Sequence, residues 1–85
     1  MKFQGAVILE QGVTFAIVLV KKSALSSTMK ANEVRDSFQP YFPGSPLVLA
    51  AQDASGRFEY QGRKDLVNFL ANLHPSQIPW SEYTI

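Results

Sequence analysis

The chain has 85 residues, of which 46% are hydrophobic and 18% charged, a balance that excludes the disordered class and fits one small domain whose large apolar residues are nearly all needed inside. It contains no cysteine, which removes disulfides, thiolate catalysis and cysteine-ligated zinc or iron–sulfur chemistry together. Eight Lys and Arg against seven Asp and Glu give a formal charge of +1, so no global field draws in a polyanion and nucleic acid is not the expected partner.

The opening residues reach Glu10 before a secretory apolar region attains full length. The longest apolar run, Val13 to Val20, falls far short of the roughly 20 residues of a membrane-spanning helix. A cytoplasmic chain with no membrane partner is expected. Ala6 to Leu9, then Glu10-Gln11-Gly12, then Val13 to Val20 read as a β-hairpin, with Gly12 supplying the positive φ that a tight turn wants. The run Val-Thr-Phe-Ala-Ile-Val-Leu-Val suits a strand buried on both faces.

Lys21 and Lys22 end that strand, and Ser23 to Met29 is polar enough for a loop or a frayed helical turn. A short helix is predicted from Ala31 to about Gln39, with Ala31, Val34 and Phe38 on one stripe, Asn32 or Thr28 as its cap, and Pro40 ending it. Leu47 to Gln52, Asp53-Ala54-Ser55-Gly56 and Arg57 to Gln61 form a second hairpin. In its second strand Phe58 and Tyr60 face one way and Arg57, Glu59 and Gln61 the other, which predicts an edge strand with one wet face. Leu66, Phe69, Leu70 and Leu73 mark an amphipathic helix from about Lys64 to Leu73, stopped by Pro75.

The reading is an α+β domain over residues 1–75, with a four-stranded mixed sheet and two helices in the order ββαββα and a tail, 76–85, packed on it. A thioredoxin-like or ferredoxin-like α/β sandwich is the alternative. From Ser45-Pro46 through the second hairpin to the last helix, the chain resembles the closing hairpin and helix of thioredoxin-fold domains, where a proline also precedes the first strand. The paired cysteines of that family's redox chemistry are absent here, so the resemblance implies a local chain path and no activity.

Two short helices cannot shelter both sides of such a sheet, so either Ala16, Val18 and Val20 or Phe15, Ile17 and Leu19 are expected to need cover from something else. Trp80 and Tyr83 in the tail either fold over that face or form a contact surface for another chain. The expected function is therefore non-enzymatic association with another protein or with a second copy as a homodimer. The alternative is small-ligand or anion binding at Lys21 and Lys22, near the loop at Asp53. Lys21-Lys22 and Arg63-Lys64 should lie at opposite ends of the sheet, which disfavours a phosphate-binding patch. Phe58 and Tyr60 fit a core face better than the stacking platform of an RNA-binding sheet.

No catalytic set is visible. His74 stands where the last helix ends, where a protonated imidazole complements the helix dipole, and no second histidine completes a metal site. Glu10, Glu33, Asp36, Asp53, Glu59, Asp65 and Glu82 are scattered, and Ser26, Ser27 and Thr28 have no nearby base. No cofactor is expected.

Overall fold

The computed structural model describes residues 1–10 and 12–85. Strands β1 (Lys2–Glu10) and β2 (Val13–Leu19) are followed by a 3-10 turn (Lys22–Leu25), helix α1 (Thr28–Phe38) and a second 3-10 turn (Gln39–Tyr41). Then come β3 (Leu47–Gln52), β4 (Phe58–Gln61), α2 (Lys64–Ala71), a third 3-10 turn (Pro75–Gln77) and β5 (Ser81–Thr84). The fold is a small α+β domain built on a mixed sheet with two helices.

The sheet has five strands in the order β4-β3-β2-β1-β5, so the expected four strands and the ββαββα order are corrected. β1–β2 and β3–β4 are antiparallel, as short connections dictate, and β2–β3 is parallel, which the long helix-containing crossover makes possible. Gly12 has a φ of 78°, the left-handed value predicted for the first turn. Gln11, placed in the same turn by the sequence, lies outside the described residues.

The fifth strand comes from the tail. Its residues pair antiparallel with the start of β1, from Lys2 opposite Thr84 to Gly5 opposite Ser81. Residues Ser81–Thr84 of the tail thus extend the sheet edgewise, while Ile78 and Trp80, just before them, lie over the face that α2 covers. The tail's aromatic residues divide between the two sides. Trp80 packs on the core beneath α2 and stacks on Phe58 with ring centroids 6.1 Å apart. Tyr83 packs on the core beneath α1 and stacks on Phe3 at 5.1 Å.

Helix α1 starts at Ser27, whose Oγ accepts from the Lys30 N–H at 3.1 Å. Ser27 therefore replaces Asn32 and Thr28 as the cap, and the helix begins three residues before the predicted Ala31. A serine in extended geometry leaves its hydroxyl free to satisfy one of the helix's unpaired donors. At the other end, the chain tightens into the 3-10 turn at Pro40. The Gln39 amide donates to the main-chain oxygens of Phe42 and Ser45 at 2.9 and 2.8 Å. Helix α2 ends at Ala71, earlier than Leu73.

The cover that two helices alone cannot give β2 comes from the chain itself, so among the described residues no face is left for another chain to seal. Phe15, Ala16, Ile17 and Val18 are all 0% exposed. The helices take opposite faces, and neither works alone. Leu66 and Leu70 of α2 are joined by Ile78 over Phe15, Ile17, Val48 and Ala50. Ala31 of α1 is joined by Phe3 and Phe42 over Ala16, Val18 and Leu49, with Val34, Phe38 and Tyr83 at the margin. The irregular segment after each helix supplies the missing cover.

Gly5 is where β5 is admitted. A Cβ built there would lie 3.0 Å from the Ile17 carbonyl oxygen and 3.1 Å from Tyr83 Cε1, tight enough that a neighbour must give by a few tenths of an ångström. Gly5→Ala is expected to displace Tyr83 and cost about 1–3 kcal/mol by overpacking. The thermal midpoint should then fall by roughly 4 °C or more, and an unchanged midpoint would show that the contact is not tight.

Candidate functional site: the open edge of β1

A sheet edge presents main-chain donors and acceptors that must be paired, covered or shielded by charge. At β4 the edge is short and carries Glu59, with Arg57 just before it. At β5 it is polar, and Glu82 lies 3.6 Å from the Lys2 ammonium. A third stretch of edge is less protected. β5 pairs with β1 only as far as Gly5, and among the described residues no strand continues along that side from Ala6 to Glu10.

The direction of the exposed groups follows from the ladder. The Ile85 N–H donates to the Met1 oxygen at 2.8 Å and the Met1 amino group donates to the Ile85 oxygen at 2.6 Å. In an antiparallel ladder such exchange recurs at every second residue. Phe3 and Gly5, opposite Tyr83 and Ser81, therefore also turn N–H and C=O toward β5. So do Val7 and Leu9, which lie past its end.

The same two residues expose their side chains. Val7 is 48% and Leu9 69% exposed, and alternation along the strand puts both on the α1 side with Phe3. Ile8, on the other side, packs against the core under α2 and is only half-buried. The segment Ala6-Val7-Ile8-Leu9 is thus an extended, uncharged edge with free hydrogen-bonding groups and an apolar rim, a combination that templates pairing with another strand. The sequence marks these residues as a strand. Their site character becomes visible only once β5 is known to stop at Gly5.

The residues singled out from sequence lie elsewhere. Trp80 and Tyr83 are half-buried within the two cores. Lys21 shares the rim of an open groove with Lys2 and Lys30, above Phe3, Val20, Ala24 and Phe38. Lys22 is not part of that groove and influences Asp53 instead. The Asp53 carboxyl is held below its ordinary pKa chiefly by the Ser55 hydroxyl and then by the Arg57 N–H, with a smaller contribution from the Lys22 charge. The loop at Asp53 is built by this carboxylate, which accepts from Ser55 N, Ser55 Oγ and Arg57 N.

Arg63 lies at the other end of the sheet, just past Gln61 opposite Leu49, and is engaged by Asp65 through two contacts of 2.7 Å. His74 does not serve the end of α2. Its Nδ1 accepts from Ser76 N at 3.2 Å and meets Ser76 Oγ at 2.7 Å, capping the following 3-10 turn. The Tyr60 hydroxyl is buried with no protein partner among the described residues, and burial raises its pKa. Arg35 bridges α1 to β4 through the Gln61 side chain and also binds Asn32.

Among the described residues no group of three His, Cys, Asp or Glu side chains is arranged to hold a metal ion, and no helix is long and apolar enough to cross a membrane. Comparison with protein-family models, with curated proteins and with solved structures found no match.

The Arg63 guanidinium holds the Asp65 carboxyl at a pKa of about 2. A carboxyl depressed in the folded state adds stability above its unfolded value of about 3.9, and that stability is lost as pH falls toward 2. Carboxyl carbon chemical shifts followed against pH should show Asp65 titrating near 2 and moving up toward the ordinary range in Arg63→Gln. An unchanged titration in that variant would assign the depression to another cause.

Proposed function

We propose that this domain is a non-enzymatic protein-interaction module that works by taking up a strand along the outer edge of β1 between Ala6 and Glu10. The observation that carries this reading is the coincidence at Val7 and Leu9 of outward main-chain groups and exposed apolar side chains on a strand whose partner ends at Gly5. Strand addition takes its affinity from main-chain hydrogen bonds and its selectivity from alternate side chains. Both are on offer here.

The magnitudes describe a modest interaction. Pairing at Val7 and Leu9 makes about four ladder bonds, each worth about 1 kcal/mol net, and buries apolar surface at about 25 cal/mol per Å². Association costs at least about 4 kcal/mol in lost translational and rotational freedom. A weak, reversible complex follows, sensitive to a single charge placed on the edge.

A short neutral peptide of alternating threonine and valine supplies a generic strand. Titrating it into the labelled protein should shift the Val7 and Leu9 amide resonances and slow their hydrogen exchange, with little change at β4. Leu9→Lys should weaken this response at least tenfold. Edge amides that ignore such peptides, and ignore rising protein concentration as well, would overturn the reading.

A second reading rests on the groove rimmed by Lys2, Lys21 and Lys30, where cations surround an apolar floor and favour a small anion. Phosphate or a short carboxylate that shifts Lys21 and Lys30 resonances and leaves Val7 and Leu9 still would favour it over strand addition.

A further inference from the structure

We infer that the strand received by this edge is β1 of a second copy, paired antiparallel about a two-fold axis through Ile8, so that Val7 of each subunit lies opposite Leu9 of the other. The inference rests on the strand-addition reading above and adds the occupant and its register.

Self-complementarity singles out this occupant. The open segment runs from Ala6, just past the Gly5–Ser81 pair, to Glu10, the end of β1. Ile8 is its midpoint. Turned end for end about Ile8, the segment matches itself in length, and Glu10 of each copy falls opposite Ala6 of the other. The outward groups then match without remainder. Val7 exchanges N–H and C=O bonds with Leu9 of the second copy, and Leu9 does the same with its Val7.

Neighbouring registers fail. Centring on Val7 would bring Leu9 of the second copy against Gly5, whose edge already belongs to Ser81. Centring on Leu9 would leave Val7 with no partner in the β1 of the second copy, which ends at Glu10. The two-fold through Ile8 is the arrangement that pairs both outward residues and leaves β5 in place.

The side chains and charges agree with it. On the α1 side, the exposed Val7 and Leu9 of each copy close over those of the other. On the α2 side, the two Ile8 side chains meet at the axis. Glu10, the single charged residue of the segment, stands at its end, so the two carboxylates lie at opposite ends of the junction and repel little. The isologous contact continues the sheet from one subunit into the next, and closed two-fold pairing uses up the exposed edge on both.

The absence of cysteine from the sequence makes the test direct, because any disulfide in a single-cysteine variant joins two chains. Residues facing each other across a non-hydrogen-bonded antiparallel position have Cα atoms about 4.5 Å apart, within disulfide reach. The 85-residue chain carrying Ile8→Cys should therefore cross-link under mild oxidation, and Leu9→Cys, one step off the axis, should do so at least several-fold more slowly. Sedimentation of the unmodified chain should show a concentration-dependent dimer that Leu9→Lys weakens at least tenfold.

Because Ile8 contacts the core, the sedimentation arm decides the matter if Ile8→Cys does not fold. A dimer that cross-links faster through Leu9→Cys, or that Leu9→Lys leaves intact, would overturn the inferred pairing. A chain that stays monomeric at millimolar concentration yet takes the neutral peptide at Val7 and Leu9 would overturn the second copy as occupant and leave strand addition standing. Failure of both dimer and peptide would remove both.

Discussion

Burial of β2 on both sides governs the whole molecule. Phe15 to Val18 are inaccessible on either face, so a chain of 85 residues must build two covering layers from two short helices. It does so by dividing them between the faces and using the segments that follow as additional cover. Phe42 lies beyond α1, and Ile78 and Trp80 lie beyond α2. Such irregular stretches carry stability here that a larger domain would draw from longer helices.

This economy explains where the remaining apolar surface lies. Cover is concentrated over the middle of the sheet and thins toward the β1–β2 turn, so Val7 and Leu9 stay exposed while their strand neighbours Ala6 and Phe3 are buried. The other edges carry Arg57, Glu59 or Glu82, residues that discourage unwanted pairing. The contrast within one sheet sets the β1 segment apart.

Much of this architecture was legible in the residues, for identifiable reasons. The apolar run of β2, the alternation at Phe58 and Tyr60 and the stripes at Val34 and Leu66 follow periodicities that survive tertiary context. β5 did not announce itself, because Ser-Glu-Tyr-Thr holds one large apolar side chain and its partner is the far end of the chain, where Tyr83 approaches the bare backbone of Gly5 closely. The Ser27 cap was hidden among neighbouring hydroxyl residues that competed for the role. The candidate site was illegible for the same reason as β5. An edge becomes open only by reference to the strand that stops short of it, and local patterning of Ala6 to Leu9 holds no trace of that event.

Pairing of β1 with β5 joins segments from far apart along the polypeptide, and closing so large a loop is slow relative to forming either hairpin. On a ribosome, β1 would emerge long before the residues that dock beside Lys2 to Gly5. Throughout that interval its entire outer side is bare. Until the last residues are made, the stretch of β1 without a neighbour on that side is therefore longer than in the finished fold, reaching back from Ala6 to Lys2.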